Sequence, residues 1–516
     1  MSERCDVAVI GAGVGGLAAA ARLARAGRRV VVLEQHALPG GCASWFTRER
    51  CRFDVGATTL SGLLPGQPIA QLIEELALEL PRVRCDPGVV VHDEAADGAR
   101  RVVRRFADAA RWGEEAARAF AGEGDVVGFF AAAEALADRA WRLLPQAGGF
   151  PPGNWRETLA LLAPRRLALL PLLSALRRSV AAVLADHRIA PESRCARFVA
   201  EQLAITTQRD AAATPWLFGA LGLAYPRDTW ALDGGLSALP QALARALRRD
   251  GGELRLRTRV VALERGGVGG GGGAPWRLAL AAAAGGAAGG AARGASLEAD
   301  AVVANVPLLA LAELLPALAP FARAKTARGV AVGAFTLYAG VPADFDDLGT
   351  PFHQLHLAQP LPHLPAHSLF LSFSRAGERG RAPPGRRALT VSTHVERPAE
   401  WTRGRFASDD AAVAAVAAAM QAAIVRAFPE LGRGEWRPFL PGTPRTFERY
   451  TLRPDGEVGG LGHSLANPPW TWAGARAPLP RLYLVGDTIF PGQGTPAVAQ
   501  GAAAAVAALL ADERHS

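Results

Sequence analysis

The run Asp6-Val7-Ala8-Val9-Ile10-Gly11-Ala12-Gly13-Val14-Gly15-Gly16 decides the fold. A short apolar strand leads into a Gly-x-Gly-x-x-Gly turn, and the Ala-rich stretch up to Gly27 reads as a helix. A second strand, Arg29-Val30-Val31-Val32-Leu33, ends in Glu34. Strand, glycine turn, helix, strand and acid together make the dinucleotide-binding fingerprint. Gly11 permits the tight turn, Gly13 lets backbone approach a pyrophosphate, and Gly16 lets the helix pack closely on the strand. The helix start then offers unpaired N–H groups and a partial positive charge to phosphates. Glu34 is placed to accept hydrogen bonds from an adenosine ribose and repels a 2′-phosphate, which favours FAD or NAD over NADP. A glycine turn without a ligand would not need the flanking strands and the acid.

Further along, Gln35-His36-Ala37-Leu38-Pro39-Gly40-Gly41-Cys42-Ala43-Ser44 follows the acid with a second glycine pair. Then come Arg52-Phe53-Asp54-Val55-Gly56-Ala57-Thr58 and, near the C-terminus, the strand Leu482-Tyr483-Leu484-Val485 ending in Gly486-Asp487. Phe490-Pro491-Gly492-Gln493-Gly494-Thr495-Pro496-Ala497-Val498 leads into a last Ala-rich helix. Together these strings resemble the carotenoid desaturase and carotenoid isomerase family, which includes retinol saturases and belongs to the amine-oxidase-like class of FAD proteins. The resemblance covers both ends of the chain and the segment near 230–305; across roughly 85–225 no motif is found. Phe53–Thr58 and Gly442-Thr443-Pro444-Arg445-Thr446-Phe447-Glu448-Arg449-Tyr450 look most like desaturases acting on the ends of partly modified carotenoids.

The resemblance implies an α/β protein, with a Rossmann-like FAD-binding domain interleaved with a substrate domain of mixed β-sheet and helices. It implies non-covalent FAD held by Gly11, Ala12, Gly13, Gly15, Gly16, Glu34, Gln35, Gly40, Gly41, Cys42, Val260, Gly486, Asp487, Gly494, Thr495, Ala497 and Val498. In related enzymes a valine backbone meets the adenine, and Val260 occupies the matching place. The family also puts the aspartate of Gly486-Asp487 against the ribityl and phosphate part of FAD. From the residues themselves, Thr495 is expected to cap the last helix and Pro496 to open it. The N–H groups of Ala497 and Val498 would then point at the flavin pyrimidine edge and favour negative charge there.

The chain has 516 residues, too many for one simple core, so intertwined domains are expected. The boundaries read as 1–80 (FAD domain, first part), 81–230 (helical, substrate- or membrane-facing), 231–305 (FAD domain, second part), 306–445 (substrate-domain β layer) and 446–516 (FAD domain, third part). Strands are expected at 253–261, 330–338, 368–374 and 388–395, and the tracts Gly270–Gly273 and Ala281–Gly286 read as flexible turns of a three-stranded meander. The formal charge of +9 is carried almost wholly by scattered Arg, with Lys325 the one Lys. It suits anionic lipid heads; no nucleic-acid motif accompanies it. In 156–185, Leu159-Ala160-Leu161-Leu162 and Leu167-Ala168-Leu169-Leu170 alternate with Arg165-Arg166 and Arg177-Arg178. Such a helix either lies at a lipid interface or packs on the core with its Arg in water; both readings stay open. Cys5, Cys42, Cys51, Cys85 and Cys195 have no metal-type spacing and fit a reducing compartment. With no secretory signal or apolar run of bilayer length, the expected location is cytoplasmic, peripheral on the cytoplasmic membrane face.

No metal site is expected. His353, His356, His363 and His367 cluster in sequence, but Pro360, Pro362 and Pro365 interrupt any helix that would align them. His394 is a tunnel or core histidine, and Asp54 serves loop geometry or flavin support, with loop geometry preferred. Arg449-Tyr450 and Arg453 resemble a family segment near the flavin, with structural ion pairing an equal alternative. No general base is nominated, because in flavin chemistry the cofactor accepts the hydride. The expected activity is desaturation of a carotenoid or other hydrophobic polyene, with a quinone or oxygen as electron acceptor. The rivals are cis–trans isomerisation with reduced FAD, retinoid saturation, and a flavin-containing polyene-binding protein without turnover. An amine oxidase is less favoured, since the substrate region is apolar and Lys325 cannot be placed at a flavin position.

Overall fold

The structure, a computed structural model, describes residues 3–95, 98–144, 149–161, 163–266, 275–282, 295–330 and 332–514. The turn tracts Gly270–Gly273 and Ala283–Gly286 lie outside the described residues, and so do Leu162 and the side chains of Arg165 and Arg166. Two seven-stranded sheets organise the molecule.

The first sheet has the strand Glu3–Ile10 at its centre, parallel to Val30–Leu33 on one side and to Ser296–Ala304 on the other. Glu253–Arg255 extends it in parallel beyond Val30–Leu33. Ser296–Ala304 pairs with Trp276–Ala282 through its first half and with Leu482–Leu484 through its second, so the C-terminal motif arrives beside the glycine turn. A strand buried on both faces reads as a continuous apolar run, and Val30-Val31-Val32-Leu33 is buried at every position. The helix Val14–Arg25 buries every residue from Val14 to Ala21. Its alanines let it contact Ala238–Arg249 and Thr495–Glu513 closely in one shared core.

The expected strand over 253–261 is two strands. Arg257 adopts φ 54°, and around this break Glu34 and Arg255 exchange backbone bonds with the chain, Glu34 N–H to Arg255 O (2.9 Å) and Thr258 N–H to Glu34 O (2.8 Å). The second piece, Thr258–Arg265, therefore leaves the parallel sheet to pair antiparallel with Trp276–Ala282.

The second sheet runs, in spatial order, Phe439–Gly442, Gly333–Pro342, Arg386–Val395, Ser368–Phe373, Phe352–His356, Val89–Glu94, Arg100–Arg105. The last two lie in the stretch 81–230 read above as helical. Val89-Val90-Val91-His92 is buried throughout, and this β-branched run supplies a strand before the helices begin at Ala109. One face of the sheet is covered by Asp410–Ala427, which buries Val416, Met420 and Ile424 against Leu337, Leu389 and Val391. Asp410–Ala427 and Thr495–Glu513 are both long and apolar enough, by length and composition, to cross a membrane. Neither is an uninterrupted apolar run, since Gln421 and Gln500 break them, and each contributes side chains to a core cluster of the protein.

Candidate functional site

The site begins at the carboxyl ends of the parallel strands, where open α/β sheets place ligands. Gly11 sits at φ 94°. Its N–H bonds to Leu33 O at 2.8 Å and its carbonyl accepts from Asn305 Nδ2 at 3.3 Å. A Cβ on Gly16 would lie 2.2 Å from Gly11 O, so the helix can approach the strand only because that side chain is absent. A Cβ on Gly13 would meet Asn305 Nδ2 at 2.7 Å; the space its side chain would take is filled by a protein amide. Gly40 N–H donates to Ala12 O at 2.8 Å, which stitches the Gly40-Gly41-Cys42 turn onto the first glycine turn.

Glu34 closes this side. Its carboxylate accepts the N–H groups of Ala12 and His36, both at 2.8 Å. Burial pushes the Glu34 carboxyl up, and these N–H groups pull it part of the way back. Gln35 is half-buried beside it. The Val260 side chain packs in the core with Leu33 and Leu280, which leaves its backbone as the part able to meet a ligand.

The opposite wall comes from the C-terminal segment. A Cβ on Gly15 would lie 3.5 Å from Gly486 N and 3.6 Å from Val498 Cβ. The starts of the first and last helices and the end of the Leu482–Leu484 strand therefore meet at Gly15. The cap of the last helix differs from expectation. Gly494, at φ 94°, is the cap, Thr495 is the first helical residue, and no side chain caps the helix. The left-handed backbone at Gly494 turns the chain into the helix without a hydroxyl's help. Val498 N–H bonds back to Gly494 O at 3.0 Å, so it is not free for a ligand. Ala497 N–H finds no acceptor among the described residues, as is usual in the first turn of a helix.

Asp487 does not stand alone. Arg453 Nη2 donates to both of its oxygens, at 2.9 and 2.8 Å. Arg453 is thus ion-paired, and its partner is the aspartate that the resemblance puts against the cofactor. Cys42 is half-buried beside this pair: burial pushes its thiol up, with Arg453 pulling the other way. Arg449 lies over the ring of Tyr450, 5.7 Å from its centroid, and Tyr450 meets His36 edge-on. The residue that sequence reasoning missed is Asn305. Its side chain is the shared neighbour of Gly11, Gly13, Gly15, Gly16 and Gly486, and its one visible signal was a polar residue ending an apolar parallel strand.

These surroundings fit a dinucleotide. Two helix starts, close-packed glycines and the Glu34 carboxylate converge at the strand ends, the donor and acceptor set that a dinucleotide's phosphates and ribose require. Asp54, by contrast, is not a loop residue in a simple sense. It is buried and paired with Arg381 at 3.0 Å, and accepts from Ser237 N–H at 3.4 Å. The four clustered histidines do not converge. His353 and His356 are buried in the strand Phe352–His356, while His363 is exposed. His353 Nδ1 lies 3.2 Å from His92 Nε2. Burial lowers His353, takes His356 down to about 3 and His394 to about 4, so these rings are neutral.

Three comparisons bear on this geometry. The family model for flavin containing amine oxidoreductases matches residues 14–509. A phytoene dehydrogenase of Streptomyces griseus is 33% identical over 267 residues, 51% of this chain and 49% of that protein. An all-trans-retinol 13,14-reductase of Danio rerio is 30% identical over 169 residues, 32% of this chain and 25% of that protein. The chain thus spans at most about half the length of these curated relatives. Among solved structures, a putrescine oxidase variant with redesigned cofactor binding superposes with a TM-score of 0.65 at 15% identity, covering 100% of both chains. That likeness shows the fold.

Proposed function

Because the chain belongs to the flavin containing amine oxidoreductase family, we propose that this flavin-dependent oxidoreductase binds FAD and desaturates a carotenoid or related polyene. The observation that carries the substrate class is the exposure of apolar side chains along one stretch of chain, from Trp155 to Leu173. Trp155, Leu159, Leu167, Leu170 and Leu173 are 67, 56, 61, 55 and 43% exposed, five of the twelve large apolar side chains found exposed among the described residues. Exposed Arg156, Arg177 and Arg178 flank them. A water-soluble amine needs no such exposure, whereas a polyene has to be taken from a bilayer. The partial match to a phytoene dehydrogenase supports the same class.

Bound FAD would supply the hydride acceptor. The chain's own part is binding and orientation. The N–H groups at the start of the helix Val14–Arg25 would meet the phosphates, Glu34 and Gly40 hold the Ala12 turn through its N–H and its carbonyl, and the start of the helix at Thr495 would favour negative charge beside the flavin. A quinone or oxygen serves as the final electron acceptor. The test is anaerobic mixing of oxidised protein with lycopene-like precursors. Flavin absorbance should bleach once, with about one new double bond per protein, and an added quinone should restart turnover. Oxidised protein that stays inert, while dithionite-treated protein interconverts cis and trans polyenes, would overturn the desaturase reading in favour of an isomerase.

The same stretch makes the membrane part of the proposal. The protein should sediment with anionic vesicles, and high salt should release only part of it, since salt screens charge and leaves the apolar term. Arg177→Gln with Arg178→Gln should remove about 1 kcal/mol per residue of the salt-sensitive binding. Serine at Trp155, Leu159, Leu167 and Leu170 should abolish the salt-resistant part while flavin content stays the same. Wild-type protein that stays in the supernatant of every vesicle mixture would show that this stretch serves another purpose.

A further inference from the structure

The diphosphate of a dinucleotide is anionic, and the cradle already holds two carboxylates, Glu34 and Asp487. The Glu34 charge is met by two backbone N–H groups. Asp487 directly follows Gly486, which lies against Gly15 at the first helix start, and its partner is Arg453. The two side chains are 14 and 18% exposed, so little solvent screens them. One nitrogen, Nη2, makes both bonds. Nε and Nη1 have no hydrogen-bond partner among the described residues, and neither is sealed in the interior.

The backbone that carries the guanidinium is tightly held. It follows the helix Pro444–Thr451, and the turn after it is pinned by Asp455, which accepts from Thr402 Oγ1 at 2.8 Å and donates its N–H to Glu448 Oε1 at 3.1 Å. Gly456 packs so tightly that a Cβ would lie 1.9 Å from Pro444 O, and one on Gly460 would lie 2.2 Å from Asp487 O. A cation on a fixed backbone turn, paired through one nitrogen and with donors to spare, is more than a surface ion pair. We infer that Arg453 is the charge-compensating residue of the cofactor site: it cancels Asp487 and turns its remaining N–H groups to the anionic bridge of the dinucleotide. Without it, Asp487 would repel the ligand that the glycine turns are built to receive. The inference rests on the flavin of the family and not on which polyene reaction follows.

The test measures FAD affinity of the apoprotein by fluorescence titration, with thermal unfolding of each apoprotein alongside. Arg453→Gln should weaken binding at least about tenfold. Adding Asp487→Asn should return much of that loss, because the repelling charge goes too. A residue that merely braces the turn would show no such rescue. Arg453→His provides a second readout: FAD should bind tightly near about pH 5 and weakly near about pH 8, while the wild type changes little. The titratable groups around this position are Asp487, Cys42, Glu457 and Asp455, and the wild-type profile controls for them. FAD affinity within about twofold of wild type in Arg453→Gln, no rescue by Asp487→Asn, or a flat profile for Arg453→His would each overturn the inference. These readings do not depend on turnover, so failure of the desaturation assay leaves them standing. A wild-type chain that takes up no FAD would overturn both.

Discussion

Gly16→Ala is expected to lose most of the bound flavin and to destabilise the protein by about 3 kcal/mol or more. The added methyl would lie 2.2 Å from the Gly11 carbonyl oxygen and 2.9 Å from Asn305 Cβ. The first of these atoms is backbone, so no rotamer change relieves the contact. The helix Val14–Arg25 has to move off the sheet, and its neighbours Ala238–Arg249 and Thr495–Glu513 have to follow, because all three share one core. Moving the helix also moves the N–H groups at its start. Gly13→Ala makes the informative contrast. Its backbone is extended (φ −68°), and its methyl would meet the terminal amide of Asn305 at 2.7 Å, a group that can rotate away. Gly13→Ala should therefore fold with a smaller loss of stability, yet bind less flavin because Asn305 is displaced. Denaturant unfolding of the apoproteins and the ratio of visible to ultraviolet absorbance separate the two effects. Equal stability losses in both variants would show that the Gly16 contact is not the limiting one.

What could be read from the chain divides by the range of the interaction involved. The first strand, glycine turn, helix and Glu34 were legible because each is a local pattern: apolar runs, small residues at a turn, an acid at a strand end. The Gly486-Asp487 strand end and the last helix were legible for the same reason. Asn305 was not, because its contact with Gly11 spans 294 residues and exists only once Ser296–Ala304 has aligned beside Glu3–Ile10. The pairing of Arg453 with Asp487 likewise follows from how two loops meet; the sequence offered ion pairing at Arg453 as one of two open readings and named no partner. Gly494 as a cap was hidden behind the more conventional Thr495; a positive φ leaves no mark in a sequence beyond the glycine itself. The hairpin at Val89–Arg105 was missed because the Ala, Leu and Arg rhythm of the residues after it dominated the reading of the whole stretch.

Asp54→Ala should cost about 3–5 kcal/mol, the range for removing one partner of a buried ion pair. Asp54 and Arg381 are 3 and 5% exposed. Arg381 already carries Nε and Nη1 without partners, so losing the carboxylate leaves its whole charge uncompensated in the interior. The guanidinium packs directly over Gly235, where a Cβ would lie 1.5 Å from Arg381 Nη1. The damage should also reach the cofactor cradle. Asp54 ends the strand Cys51–Asp54, and directly after it Val55 N–H bonds to Ser44 O at 3.0 Å and Ala57 N–H to Cys42 O at 3.1 Å. A strand that loosens at Asp54 releases the Gly40-Gly41-Cys42 turn that is stitched to Ala12. Asp54→Ala is thus expected to lower both the unfolding free energy and the flavin content. Asp54→Asn keeps the shape but not the charge, and should fall in between. Asp54→Ala combined with Arg381→Met removes the orphaned cation and should recover stability beyond the single variant. If loop shape alone were at stake, Asp54→Asn would match the wild type and the second substitution would recover nothing; denaturant unfolding of the four proteins decides between the two.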